Sequence, residues 1–199
     1  MRKHLVTTLG LVAMSLLTIP AFAEDGHREL GPHVHGHGTL NIAIEGQRVS
    51  MELEVPGMDI VGFEHAPSTD DQKTAVEKAK TRLEKPLGMF SLPTAAGCTV
   101  TEAKVALEAE HGPQDGDDHK HDEKGDHDHD DGAAGGHNQF EASYALDCTN
   151  PSELTTITFD YFTLFAGAHD LTVNVVTAKG QSKYEVSRSK PTLDLGGIM

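Results

Sequence analysis

The chain is 199 residues long and carries 31 acidic against 16 basic side chains, which gives a formal net charge of −15 at pH 7. A chain this acidic repels nucleic acid and anionic lipid surfaces, so we expect neither as a partner. The length fits one folded domain together with segments that are processed or unfolded.

The first residues are typical of a secretory signal peptide. Arg2 and Lys3 precede an apolar run over residues 5–19, and Ala21 and Ala23 form a small-residue cleavage pattern. These features predict a cleaved signal peptide over residues 1–23. The apolar run is shorter than the roughly 20 residues that cross a bilayer, and no later segment is apolar enough to do so. We therefore expect an exported protein without membrane insertion.

Residues 24–38 form a polar, glycine-rich segment in which His33, His35 and His37 alternate with other residues. In an extended chain, residues two apart project to the same side, so the three imidazoles can reach one ion. Zinc sites in proteins take three or four nitrogen, oxygen or sulfur ligands. The spacing predicts a metal site here, and the alternative is a solvated tail with incidental histidines.

Two half-buried strands are predicted from Thr39 onward, because apolar residues alternate on either side of a turn at residues 45–47. A segment after Pro56 is more apolar than an ordinary loop, which indicates that it is anchored to the core. Anchoring would hold Glu64 and His65 in fixed positions, as a tight metal site requires. Either residue can supply a fourth ligand, and His65 fits a hydrogen-bonded structural role equally well.

One main helix is predicted over about residues 71–84. Ser68, Thr69 and Asp70 are all residue types that cap a helix N-terminus. Apolar residues then recur at three- and four-residue spacing, and Pro86 ends the helix. The apolar stripe fits core packing better than a partner-binding face.

Cys98 and Cys148 are expected to pair after export to an oxidising compartment. Cys98 opens one strand-like run and Cys148 closes another, so the bond predicts an antiparallel hairpin. A pair of thiolate metal ligands is the alternative. The predicted register places Val100 opposite Leu146 and Ala106 opposite Phe140.

Residues 108–137 contain no large aliphatic or aromatic side chain, but they contain eleven carboxylates and six histidines. This composition cannot bury a core, and it predicts a disordered insert at the tip of the hairpin that collects divalent metals. A merely solubilising spacer would explain the aspartates but not the histidines. Because ordering costs about 1–2 kcal/mol per residue, we expect modest affinity and plural capacity. The six histidines are His111, His119, His121, His127, His129 and His137.

Three further strands are predicted beyond Cys148, in LTTITFDYF, DLTVNVVTA and SKYEVSR. His169 directly precedes the second of them and is a further candidate ligand. About seven strands and one helix predict an α+β fold of predominantly antiparallel β-strands. We expect residues 39–199 to form a single domain that carries the insert.

The candidate ligands are imidazoles and carboxylates, which suit Zn(II), Ni(II), Cu(II) or Co(II), and their spacing does not choose among these ions. The few methionines form no cluster of the kind expected for Cu(I). Imidazoles in general take up a proton near pH 6.5, so metal binding should weaken as pH falls.

The chain resembles the ZrgA-type proteins, which are zinc-regulated periplasmic zinc-binding proteins of Gram-negative bacteria. The segments that carry the resemblance are HVHGHGTLNIAIEG, VGFEHAPSTDDQ, LPTAAGCTV, ASYALDCTNP and the late GQS, and together they span the mature chain. The resemblance implies zinc binding in the periplasm in support of zinc uptake, alongside a zinc ABC importer. It assigns ligand roles to His33, His35, His37, Glu64 and His65, and it makes the histidine-rich insert a variable metal-rich region.

Two other functions use the same residues. Sequestration or detoxification of copper or nickel would need the same ligands with the opposite physiology. A zinc hydrolase would need three histidines, an open coordination position and Glu64 as general base. The sequence lacks the helical His-Glu-x-x-His arrangement, so we expect a binding protein and not an enzyme.

Overall fold

Nine β-strands and three α-helices occur in the computed structural model, which describes residues 34–109 and 137–199. The predicted signal peptide, His33 and the central part of the insert lie outside these residues. The strands are β1 His37–Glu45, β2 Arg48–Pro56, β3 Phe90–Ser91, β4 Cys98–Ala109, β5 Asn138–Cys148, β6 Thr156–Phe159, β7 Asp170–Thr177, β8 Gly180–Ser187 and β9 Thr192–Asp194. The helices are α1 Gly57–Val61, α2 Asp70–Leu83 and α3 Tyr161–Leu164.

The described chain is mainly β-structure with few helices, as the sequence predicts. The two strands beyond the predicted seven are β3 and β9, which have only two and three residues. Such short runs carry no detectable alternation. Helix α2 begins one residue before the predicted start, and Thr69 forms a capping box with Gln72.

The strands form a six-stranded sheet in the order β4-β5-β2-β1-β7-β8 and a three-stranded sheet in the order β3-β6-β9. Within these sheets β1 and β7 pair in parallel, and the other pairs are antiparallel. The strands are therefore predominantly antiparallel, as predicted, and the large sheet is mixed because it also contains this parallel pair. This pairing joins residues about 130 positions apart, which local sequence patterns do not reveal.

One face of the large sheet packs into the hydrophobic core, and the opposite face meets solvent. On β1 the buried side chains Leu40, Ile42 and Ile44 alternate with partly exposed ones, and β2 and β7 follow the same alternation. This period of two is the pattern of a sheet with one buried face. The core also holds an aromatic cluster that includes Phe90, Phe159 and Tyr161.

Strands β4 and β5 form the predicted hairpin, and Cys98 and Cys148 form the predicted disulfide. Val100 lies opposite Leu146 as expected, but the residue opposite Phe140 is Leu107 and not Ala106. A β-bulge between Val100 and Glu102 adds one residue to β4, and its Thr101 hydroxyl donates a hydrogen bond to the Ala145 carbonyl at 3.0 Å. One extra residue shifts the register of everything that follows it.

The predicted boundary of the insert also changes. Glu108 and Ala109 belong to β4, where they pair with Gln139 and Asn138. Of the insert predicted over residues 108–137, residues 110–136 lie outside the described residues. Ala109 and Asn138, on either side of the gap, are paired in the hairpin.

No helix in the described parts of the chain has the length and apolar character needed to cross a membrane.

Arg188, just after β8, ties together the segment that leads into β7. Its guanidinium donates hydrogen bonds to the backbone carbonyls of Phe162, Phe165, Ala166 and Ala168 at 2.5–3.0 Å. Its own backbone N–H donates to the His169 carbonyl at 2.9 Å. One side chain therefore fixes the approach of the chain to the edge where His169 and Asp170 lie.

We expect Arg188→Lys to lower the free energy of unfolding by about 1–3 kcal/mol, because a lysine cannot satisfy four carbonyls from one planar fork. The measurement is urea denaturation of the metal-free protein. Arg82→Lys, on the exposed face of α2, is the matched control and should change stability by less than about 0.5 kcal/mol. Equal effects of the two substitutions would contradict the proposed anchoring role.

Candidate metal centre

A tight turn separates the histidines of the HVHGHG segment. The His37 N–H donates to the Val34 carbonyl at 3.0 Å, and Gly36 between them has a φ of +84°. That φ favours glycine, and a Cβ on Gly36 would lie 2.9 Å from His169 Nδ1. The chain is therefore not extended over these residues. His35 and His37 contact different partners, and a site that both share stays a prediction.

His35 and His137 flank the carboxylate of Glu64. His35 Nε2 lies 2.9 Å from Glu64 Oε1, and His137 Nδ1 lies 2.7 Å from Glu64 Oε2. The Glu64 side chain is only 10% exposed, whereas the imidazoles are 58% and 61% exposed. Glu64 thus contributes a buried oxygen donor between two accessible nitrogen donors. We name these three residues the Glu64 centre.

The polypeptide backbone brings His137 to this position. The Asn138 N–H donates to the Glu64 carbonyl at 2.7 Å, so the first residue of β5 is fixed to the Glu64 segment. At Gly57 a Cβ would lie 2.7 Å from the Phe63 carbonyl and 2.9 Å from the Asn138 carbonyl, so this close approach needs a glycine. The end of the histidine-rich insert is therefore fixed beside the carboxylate.

Burial alone would raise the pKa of Glu64, but the contacts with His137 and His35 outweigh it and hold that pKa below the usual carboxyl range. Oε1 is buried and accepts no aligned hydrogen bond from the described residues, although His35 Nε2 is near. A carboxylate oxygen close to an imidazole nitrogen is a pair of donor atoms that can hold a divalent cation.

Asp59, in α1, stabilises the turn at Gly36. Its side chain is buried, and its Oδ1 accepts a hydrogen bond from the Gly36 N–H at 2.7 Å. Burial raises the pKa of Asp59, while the Gly36 hydrogen bond and the nearby His35 and His169 act to lower it. Its second oxygen, Oδ2, is buried without a hydrogen-bond partner among the described residues. Asp59 therefore adds negative potential beneath His35.

His65 takes no part in the Glu64 centre. Its ring stacks on Phe63 with 5.1 Å between centroids, and its Nδ1 lies 3.0 Å from the Ala66 carbonyl. The Gln72 amide lies 3.4 Å from Nε2, which links the ring to the N-terminus of α2. These contacts fit the structural role that the sequence left open for His65.

His169 lies on the other side of Gly36. Its backbone N–H and that of Asp170 both donate to the Gly36 carbonyl, at 2.8 and 3.0 Å. Its ring packs over Gly36 and interacts electrostatically with Asp59. It is therefore close to both histidines of the turn without contacting Glu64.

His37 belongs to a separate group on the solvent face of the sheet. Its Nδ1 contacts Asp170 Oδ1, and its Nε2 lies 3.1 Å from the Thr172 hydroxyl, which also donates to Glu185. His37, Asp170 and Glu185 each offer a ligand atom within 4.8 Å of the others.

Five predicted ligands of the insert fall outside the described residues. With His33, they are the site residues for which the structure gives no position. The five are His111, His119, His121, His127 and His129.

Sequence reasoning missed Asp59, Asp170 and Glu185. Asp59 is the one charged residue in an otherwise apolar segment, and that was a detectable signal. Asp170 and Glu185 sit in strands that look ordinary. Only the pairing of β1 with β7 and of β7 with β8 brings them to His37.

The lowered pKa of Glu64 gives a pH dependence of stability in the metal-free protein. The ionised carboxylate stabilises the folded state above the ordinary carboxyl pKa of about 4.3, and this contribution is lost as pH falls through the lower folded-state pKa. We expect Glu64→Gln to be less stable than wild type at pH 6. The difference should shrink below about pH 4. Urea denaturation of both proteins with chelator from pH 3.5 to 7 measures it, and a difference that grows on acidification would contradict the contact geometry.

Comparison with known proteins identifies the family to which the chain belongs. No curated protein matches the chain. The family model described as ZrgA family zinc uptake protein matches residues 32–195, a range that contains every strand and helix of the described chain. That range includes Glu64 and every histidine that contacts it. The chain therefore belongs to the ZrgA family of zinc uptake proteins.

Proposed function

We propose that the protein is exported to the periplasm, binds Zn(II) there as cargo at the Glu64 centre, and supports zinc uptake. The observation that carries this proposal is the buried Glu64 carboxylate with an imidazole at each oxygen. One of those imidazoles, His137, is the last residue of the histidine-rich insert. The centre and the insert are therefore covalently continuous.

The donor set suits zinc. Two imidazoles and one carboxylate are common ligands of Zn(II), and exposed ligands leave a coordination position open to water or to a further side chain. Because the pKa of Glu64 is held low, the carboxylate is ionised at neutral pH and needs no deprotonation before binding. Asp59, beneath the turn, adds favourable negative potential for a cation.

The insert extends this centre into a collecting region. Its histidines and carboxylates would hold several ions weakly, since each binding event must order part of the chain. An ion held by the insert would meet His137 and Glu64 at high effective concentration, because the insert is covalently linked to His137. We propose that the insert gathers zinc and the Glu64 centre retains it for delivery to a zinc ABC importer.

A binding role is favoured over hydrolysis by the surroundings of Glu64. A general base needs a carboxylate oxygen that can reach a water molecule at the metal. Both oxygens of Glu64 instead contact imidazoles, and the side chain is largely buried. We therefore propose that the protein is not an enzyme. Copper or nickel detoxification remains the alternative, and expression that rises on metal excess instead of zinc starvation would favour it.

Periplasmic localisation rests on three features of the chain. Residues 1–23 have the pattern of a signal peptide. The pairing of Cys98 with Cys148 suits an oxidising compartment. Membership of a zinc uptake family is consistent with capture outside the cytoplasm.

We expect Glu64→Gln to weaken the tightest zinc site by about tenfold or more, because the change removes the charged oxygen donor while keeping the side-chain shape. Competition with a chromophoric zinc chelator at pH 7.5 measures this affinity in the mature protein. Glu52→Gln, on the solvent face of β2, removes the same charge elsewhere and is the control. Equal zinc affinity in the Glu64→Gln variant and the control would show that the tightest site lies elsewhere.

A second prediction separates the insert from the centre. Replacing residues 111–136 with a short glycine-rich linker keeps His137 and the β4–β5 pairing. Equilibrium dialysis should then show fewer zinc ions per chain, while the tightest affinity stays within about threefold of wild type. Unchanged stoichiometry would remove the collecting role of the insert.

A further inference from the structure

A second cluster of ligand atoms lies outside the Glu64 centre. His37, Asp170 and Glu185 come from three neighbouring strands, β1, β7 and β8, and all three side chains lie on the solvent face of the large sheet. In parallel pairing His37 is directly opposite Asp170, and in the next pair Thr172 is opposite Glu185. One ligand atom from each of the three acidic or imidazole side chains lies within 4.8 Å of the others.

Thr172, at the middle of this cluster, fixes which nitrogen of His37 is available. Its hydroxyl donates to the Glu185 carboxylate, with distances of 3.1 and 3.3 Å to the two oxygens. A hydroxyl has one proton, so His37 Nε2, 3.1 Å away, must donate to the Thr172 oxygen. When the ring is neutral, a proton on Nε2 leaves the lone pair of Nδ1 facing the Asp170 carboxylate.

Two atoms that both carry lone pairs repel each other unless a proton on the nitrogen or a metal ion bound to both relieves the repulsion. A ligating histidine in proteins commonly donates its other ring N–H to a neighbouring oxygen, which fixes the tautomer and the orientation of the ring. Thr172 plays this orienting part here, and it is itself buried within the sheet surface. The cluster therefore has both the ligands and the supporting hydrogen bonds of a metal site.

We propose that His37, Asp170 and Glu185 form a second ordered site for a divalent transition cation, with Zn(II) as its cargo. Two carboxylates and one neutral imidazole carry a charge that a divalent cation balances. The site uses none of the residues of the Glu64 centre, so it does not depend on the function proposed for that centre.

The surroundings indicate an ion that exchanges easily. The side chains of His37 and Asp170 are 37% and 41% exposed, and Glu185 is 59% exposed. Lys183 Nζ lies 3.4 Å from Glu185 Oε1, but this lysine is 65% exposed and can turn to solvent when a cation binds. Binding therefore needs rotation of surface side chains only, and no buried group has to move.

The test uses the full mature chain, because a residue-specific signal distinguishes this site from the insert. Zn(II) is titrated into metal-free, ¹⁵N-labelled protein at pH 7.5, and long-range ¹H–¹⁵N spectra report the ring nitrogens of His35, His37 and His137. We expect His37 Nδ1 to respond to zinc. In Glu185→Gln and in Asp170→Asn, about tenfold more free zinc should be needed for the same His37 response.

Two control variants distinguish the possible outcomes. Glu52→Gln, on the same face of the sheet, should leave the His37 response unchanged, and backbone amide spectra confirm that each variant is folded. In Glu64→Gln the responses of His35 and His137 should weaken while that of His37 persists.

If His37 does not respond to zinc, or responds at the same zinc concentration in wild type, Glu185→Gln and Asp170→Asn, the second site is overturned. If His37 follows Glu64→Gln instead, it belongs to the Glu64 centre and the inference is also wrong. If His35 and His137 do not respond to zinc in the wild-type protein while His37 does, the proposed function is wrong and the second site stands.

Discussion

The backbone of Gly36 is the constraint on which the arrangement of candidate ligands depends. Its N–H donates to the buried Asp59, and its carbonyl accepts from the backbone N–H groups of His169 and Asp170. These bonds join the start of β1 to α1 on one side and to the start of β7 on the other. The turn from Val34 to His37 leaves His35 beside Glu64 and His37 beside Asp170. A residue with a side chain would be strained at this φ and would collide with the ring of His169.

The same turn links the strand pairing of the fold to the proposed metal sites. The parallel pairing of β1 with β7 joins β7 and β8 to the other four strands of the large sheet. It is also the pairing that places His37 beside Asp170. On the other side, β2 continues into α1, whose Asp59 is buried despite the cost of burying a carboxylate. That cost is offset in part by the Gly36 hydrogen bond and by the neighbouring imidazoles, which an ordinary core position would not provide. Asp59 is better explained as support for the ligands than as a contribution to stability.

The sequence predicts what local periodicity and chemistry control. Alternation of apolar residues locates the long strands, the capping residues locate α2 to within one residue, and the two cysteines predict their own pairing. It also identifies Glu64 as a ligand candidate, since the apolar residues around it indicate a fixed position. The features that it misses are set by partners distant in the chain. The bulge at Thr101 shifts the hairpin register by one residue. The pairing of β1 with β7 and of β7 with β8 brings Asp170 and Glu185, which carry no local signal, beside His37.

The two proposed sites differ in burial, and we therefore expect them to release an ion at different rates. At the Glu64 centre the carboxylate is largely shielded from water, so its attraction for a cation is less screened than that of an exposed group. At the His37 cluster all three ligands reach solvent, and salt and water weaken the same attraction. A protein that takes part in uptake needs to bind zinc when it is scarce and to release it to a partner. In the proposed function, a buried donor near the end of the insert would serve retention, and an exposed cluster on the open face of the sheet would serve exchange. Gly36 alone separates His35 from His37 along the chain, so its hydrogen bonds to Asp59, His169 and Asp170 help to fix both proposed ligand sets.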